Sequence, residues 1–275
     1  MNRGRVLTIA GSAARGGAGI QADVKTFQEL DVYGVAAITA IVARHASGQG
    51  VYPLPIETIE AQAYTMFEDI GVDVIKTGML FTEEIIHSVA QVLRESEAKR
   101  IVVDPVMIGK LGSKLLEDEA IQALKEEVIP QATIITPNMY EAAHLMGLEY
   151  DALRTVDDLK RAAGALHSLG SKYVLIKGGR LKGAATDILY NGRDMYEVRA
   201  PRIPTKHTNG AGCTYAAAIA AELAKGATVE DAVFVAKKFV TAGIRHSMPA
   251  KQGVGPTDHA AYAKFGESGV QMIRL

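Results

Sequence analysis

The chain is 275 residues long, 48% hydrophobic and 22% charged, with a formal net charge of −1 at pH 7. That length buries a substantial core, and so balanced a charge, without a Lys/Arg-rich block, argues against nucleic acid or an acidic membrane surface as partner. Its single cysteine excludes an intramolecular disulfide and a cysteine zinc cluster, and fits a reducing cytosol.

In chain order, the apolar run 6–10 reads as a first strand. Five residues are too few for a signal-peptide core or a membrane span, so a cytoplasmic protein is expected. The loop GSAARGGAGIQAD (11–23) follows. Its glycines mark a close approach of backbone to a ligand, but residues 16–19 lack the G-x-G-x-x-G spacing of a dinucleotide site. Helical periodicity covers 20–30, 56–70, 83–95, 118–128, 140–146, 156–169, 213–224 and 229–247. Strand-like runs cover 35–42, 74–76, 101–103, 133–135, 173–176, 187–190 and 195–199, and Asn191-Gly192 signals a hairpin between the last two. Several of these runs are continuously apolar, as in strands buried on both faces of a parallel sheet. The alternation predicts a single-domain, three-layer α/β/α sandwich with a mostly parallel sheet and one late antiparallel excursion.

Polar and glycine-rich segments follow the predicted strands: 11–19, Thr77-Gly78-Met79, Asp104-Pro105, Thr136-Pro137-Asn138 and Lys177-Gly178-Gly179. Ligands of open α/β sheets bind outside the carboxyl ends of strands, so these segments should converge. Gly210-Ala211-Gly212 opens an alanine-rich helix, whose free N–H groups suit an anion. Cys213 beside it would have a lowered pKa and could serve as base, or it could be a small buried residue at a tight helix start. Asp104 suits Mg²⁺ held with phosphate oxygens, or caps a turn. Asn138 and Glu141 share one helical face, and could equally form a capping box. Lys177 is either a phosphate contact or a solvated strand-end lysine. No Walker-type G-x-x-x-x-G-K-[ST] and no G-x-S-x-G occurs, and the seven histidines show no metal-ligand spacing. His45, His87, His144 and His167 read as surface or cap residues.

Taken together, "GGAGIQADVKTFQELDVYG", "IKTGML", "VVDPVM", "TPNMYEA", "VLIKGG", "GAGCT" and "VGPTDH" resemble, in family order, the vitamin-kinase branch of the ribokinase-like superfamily. That branch holds hydroxymethylpyrimidine (phosphate) kinases and bacterial pyridoxal kinases. The resemblance implies transfer of the ATP γ-phosphoryl to a hydroxymethyl group on a small heteroaromatic ring, with Mg²⁺ and a homodimer. It implies that Gly210, Ala211, Gly212 and Cys213 form the anion hole and base, and that Asp104 and Glu141 organise magnesium. Asn138, Lys177, Gly179 and Lys237 fall on the nucleotide side. Gly11, Gly19, Asp23, Arg44, Met79 and Val106 fall on the substrate side.

The chain departs from the family pattern at Ala13, Ala14-Arg15, Ala43-Arg44-His45-Ala46, Gly109 and Asn209. These departures are expected on the substrate side or its lid. They leave open a family kinase that has drifted to a sugar or nucleoside, or a non-catalytic vitamer-binding protein.

Overall fold

A computed structural model of the chain describes residues 3–45, 48–107 and 116–275. Ten strands form one sheet: β1 (Arg5–Ala13), β2 (Tyr33–His45), β3 (Gly48–Pro53), β4 (Val74–Thr77), β5 (Arg100–Val103), β6 (Ile134–Ile135), β7 (Tyr173–Ile176), β8 (Ala185–Tyr190), β9 (Met195–Ala200) and β10 (Gln271–Arg274). Their order across the sheet is β10-β9-β8-β7-β6-β5-β4-β1-β2-β3. The six strands from β7 through β2 run parallel, while β3, β8 and β10 pair antiparallel with β2, β7 and β9.

Alternation along the apolar strands divides their side chains between two layers. Leu7, Ile9, Ile75 and Val103 face a core shared with α2 (Ile56–Asp69), α3 (Glu83–Glu95), α4 (Asp118–Ala123), α5 (Met139–Leu145) and α6 (Val156–His167). Val6, Val74, Val102 and Ile134 face α1 (Ile20–Glu29), α7 (Ala211–Ala224) and α8 (Val229–Arg245). Ile9 and Ile75 are fully buried, each contributing about 1.5–3 kcal/mol. The expected three-layer sandwich is therefore present.

Two strands escaped the sequence reading. In β3, Gly48, Gly50 and Pro53 hide an edge strand, where a terminal proline costs no ladder bond. The four residues of β10 are too few for a pattern, as are the five of α9 (Ala261–Phe265). The single late antiparallel excursion is accordingly one of four antiparallel pairings. At Asn191-Gly192 the hairpin is present but wider than a two-residue turn: Tyr190 pairs with Met195, and Asn191 Oδ1 accepts from the N–H groups of Arg193 and Asp194. The helix expected over 118–128 loosens into a π-helical turn at Leu124–Val128, just before Pro130 in a 3₁₀ turn, whose ring removes a donor.

Candidate active site

Chain order around the sheet reverses between β1 and β4, and β4 follows β1 on one side while β2 lies on the other. Such a switch point opens a crevice at the carboxyl ends of strands. A cavity of about 1640 Å³ lies there. Every residue assigned above to a site lines it, except Asp23.

The β1 loop forms one wall. Gln21 on α1 fixes it, accepting from the Ala13 N–H at 2.9 Å and donating to Ser12 Oγ at 2.7 Å. Gly19 has φ +60, and a Cβ there would lie 2.1 Å from the Gly11 carbonyl oxygen. At the start of α7, Gly210 has φ +78, and a Cβ would come within 1.6 Å of the Gly17 oxygen. Only glycine lets the loop and the helix end interlock so closely. The segment after α8 props this helix end, since the Asn209 N–H donates to Gly255 O at 2.9 Å.

Cys213 lies in the first turn of α7, half-buried, and the Gly19 N–H faces its sulfur. The helix end was expected to lower the thiol pKa. Instead burial dominates and pushes the thiol up to about 11, against the opposing charge of Lys76. That expectation is corrected: desolvation outweighs Lys76 and the Gly19 N–H, which favour the thiolate.

Beyond the ends of β5, β6 and β7, Lys177 Nζ reaches Asp104 Oδ1 at 2.7 Å, and Thr136 Oγ1 donates to the same oxygen at 3.1 Å. Burial works against the Asp104 carboxylate, but Lys177 and Lys76 outweigh it and hold its pKa below the usual range. Lys177 is thus a buried ion-pair partner, not a solvated strand end. A Cβ on Gly212 would stand 3.4 Å from its Nζ, so the ammonium abuts the start of α7. Asn138 and Glu141 do form a capping box: Asn138 Oδ1 accepts from the Tyr140 and Glu141 N–H groups, and Glu141 Oε2 from the Asn138 N–H at 2.8 Å. Both also line the cavity, so the cap and the site are one arrangement. Burial, and the Asp104 charge beside it, raise Glu141 to about 7 against the pull of Lys177.

These two buried carboxylates fit a divalent cation, which would relieve their repulsion. Among the described residues no group of three His, Cys, Asp or Glu side chains gathers, so the cation would need phosphate oxygens to complete its shell.

Lys237 on α8 pairs with Asp187 at 2.6 Å, and Asp187 also accepts the Gly178 N–H at 2.9 Å. Gly179 is exposed at the rim. Met79, Val106 and Gly11, the residues expected to face a ring, line the cavity wall, and Thr39 Oγ1 donates to Met79 O at 2.8 Å. Ala13, Ala14, Arg15, Ala43, Arg44 and Asn209, all departures from the family pattern, line the cavity too. Arg15 donates to the carbonyls of Gln252 and Val254, and Arg44 reaches Gln252 Oε1 at 3.5 Å. Ala46 and Gly109 lie outside the described residues.

Asp23 is placed differently from expectation. It is completely buried behind the wall, paired with Lys76, and it is Lys76 that lines the cavity. The sequence reading missed Lys76 and Asp187. A usable signal was there for both: a charged residue inside an otherwise apolar strand must find a buried partner.

The cradle of helix-end amides, paired lysines and acids at a strand switch point is of the kind that phosphoryl transfer requires. A family model described as phosphomethylpyrimidine kinase matches residues 14–258. The pyridoxine kinase of Bacillus subtilis is 49% identical over 266 residues, covering 95% of this chain and 97% of that one. The hydroxymethylpyrimidine/phosphomethylpyrimidine kinase of the same organism is 45% identical over 263 residues, covering 94% and 96%. The solved pyridoxal kinase of Staphylococcus aureus, in complex with AMP-PCP and pyridoxal, superposes with a TM-score of 0.93 at 40% identity, covering all of both chains. The chain belongs to the phosphomethylpyrimidine kinase family.

Proposed function

We propose that the protein transfers the γ-phosphoryl of ATP to the hydroxymethyl group of a small heteroaromatic vitamin precursor: pyridoxal or pyridoxine first, hydroxymethylpyrimidine or its phosphate second. The observation that supports this is that Cys213, Met79 and Val106, and the Lys177–Asp104 pair all line one cavity. The ring side is walled by Ala13, Ala14, Ala18, Met79 and Val106, and Asp23 is withdrawn behind it. Of the two Bacillus subtilis relatives the pyridoxine kinase is the more similar, at 49% against 45%, which favours the pyridine vitamers.

In this reading the thiolate of Cys213 takes the hydroxyl proton as the substrate oxygen bonds to the γ-phosphorus. The bond to the bridging oxygen breaks and its electron pair leaves with ADP. The N–H groups of 210–213 and the ammonium of Lys177 hold the charge on the transferring group. Lys237 and Asn138 lie on the nucleotide side. Asp104 and Glu141 would hold Mg²⁺, which neutralises phosphate charge. The reading includes a homodimer, supported by the exposed pair Ile41 and Tyr52 facing each other across β2 and β3. It also includes a cytoplasmic site of action; no helix among the described residues is long and apolar enough to cross a membrane.

A coupled ADP-release assay with MgATP tests it across pyridoxal, pyridoxine, hydroxymethylpyrimidine, its phosphate, ribose and a nucleoside. The highest kcat/KM is expected for a pyridine vitamer. Turnover of sugar or nucleoside alone, or tight vitamer binding without turnover, refutes it.

A further inference from the structure

The turn that leaves β7 carries a cation outside the buried ion pairs. Gly178 pins this turn to β8: its N–H donates to Asp187 Oδ1 at 2.9 Å, and a Cβ there would stand 1.9 Å from the Thr186 oxygen. The Leu181 N–H donates back to Gly178 O at 3.0 Å and closes the turn. Arg202, two residues beyond β9, fastens the far side. Its guanidinium donates to the carbonyls of Gly179, Leu181 and Gly183 at 2.8, 2.5 and 2.6 Å.

Arg180 reaches from this clamped turn onto α5. Its Nη1 donates to Tyr140 Oη at 2.9 Å, and its guanidinium carbon lies 4.6 Å from the Tyr140 ring centre. Tyr140 stacks in turn on Tyr150, with ring centres 3.8 Å apart and planes 4° from parallel. An aromatic ring attracts a guanidinium without cancelling its charge. Among the described residues Arg180 has no carboxylate partner, whereas Lys76, Lys177 and Lys237 each have one. The donors of Arg202 are taken up by three carbonyls, which leaves Arg180 as the cation of this turn with N–H groups to offer. Tyr140 lies between Asn138 and Glu141, and its own N–H donates to Asn138 Oδ1 at 2.9 Å. Arg180 therefore stands beside the start of α5, three residues on from Lys177. Tyr140, Tyr150, Arg180 and Arg202 all line the cavity.

We propose that Arg180 is a specificity-determining residue for the phosphate donor, its guanidinium contacting the phosphate chain of a nucleoside triphosphate. This rests on the reading of the cavity as the site of ATP. A guanidinium offers parallel N–H groups that match phosphate oxygens. The Tyr140–Tyr150 stack and the Arg202 clamp hold it in place beforehand, which lowers the side-chain entropy lost on contact.

Calorimetric titration of the full chain with AMP-PCP and Mg²⁺, at low and high salt, tests this. Arg180→Met keeps an apolar stem and removes the charge from an exposed position, so the fold should survive. AMP-PCP affinity should fall by about tenfold or more, the usual worth of a charge-assisted hydrogen bond. KM for ATP should rise by a similar factor while kcat changes by less than about threefold. Salt screens an exposed charge, so the variant's affinity should also depend on salt less steeply than the parent's. Arg180→Lys should keep the parent's salt dependence and recover only part of the affinity, because an ammonium lacks the planar fork. A structural role alone would weaken binding equally at both salt concentrations. A folded Arg180→Met with the parent's affinity, or a loss that is the same at both salts, overturns the proposal and leaves the kinase reading intact. The expected loss in a chain whose parent phosphorylates no ring alcohol keeps Arg180 as a nucleotide contact and removes the acceptor reading instead.

Discussion

Cys213 and Gly210 carry the account at the scale of single residues. Replacing Cys213 by Ala should cut kcat by about 10²–10⁴, the usual worth of a positioned base. Nucleotide affinity by calorimetry should stay within about twofold, and an unimpaired kcat would remove the base. Gly210→Ala meets two obstacles, a positive φ and the Gly17 oxygen at 1.6 Å from the new Cβ. The φ alone costs about 1–2 kcal/mol, and relief of the clash must push the β1 loop from the helix end. Activity should therefore fall further than thermal stability does; a fully active Gly210→Ala would show that the loop and helix need not interlock. Gly210 to Cys213 stood out in the sequence as a small-residue cluster before an alanine-rich helix, suited to an anion or to a tight helix start, and the fold brings them to the cavity wall. Lys76 did not, since its burial is made possible by the Asp23 partner 53 positions away. The thiol pKa was misread for a related reason. A helix end is visible in sequence, whereas the depth at which it is buried is set by the loop folded over it.

Two elements make a wider argument. The segment that follows α8 is fastened to α7 through His259, whose Nε2 lies 3.1 Å from Thr214 Oγ1, next to Cys213. Burial, aided by the charge of Lys25, lowers the His259 pKa to about 4. The unfolded chain keeps it near 6.5, so below that pH the unfolded state binds the extra proton first. Its contribution is fully present above about 6.5 and is lost as pH falls, the loss reaching on the order of 3 kcal/mol near pH 4. Denaturant unfolding at a series of pH values should show this slope in the parent and a smaller one in His259→Gln; identical slopes would place the titration elsewhere. In α5, the capping box makes Asn138→Ala cost about 1 kcal/mol of stability. A turnover loss well beyond that cost, read alongside the melt, would reflect its place in the cavity wall. The long, periodic helices and the apolar parallel strands were readable, because each side chain's period matches the face it buries. The edge strands β3 and β10 were not, because glycine, proline and shortness erase the period there.

For the whole molecule, one sheet separates two hydrophobic layers, and its central strands contribute side chains to both. Loss of either layer exposes the other face of the same strands. Thermal unfolding should accordingly show one cooperative transition, with calorimetric and van't Hoff enthalpies equal; two resolved transitions would mean the layers fold independently. The position of the cavity was foreseeable from topology, since loops after successive parallel strands gather on one edge. Its contents on the ring side were less so. Arg15, just beyond β1, and Arg44, on β2, meet Gln252 from a third segment, and Arg15 also reaches Val254. That meeting has no sequence signature.

The central claim is that this cavity joins a ring-borne hydroxymethyl group to the γ-phosphoryl of ATP. Proton-coupled ³¹P NMR of the products formed from MgATP and pyridoxine reads it directly. The account predicts ADP together with a new phosphomonoester split by the two protons of a CH₂O group. ADP accompanied only by inorganic phosphate, or no ester with any of the ring alcohols, would contradict it.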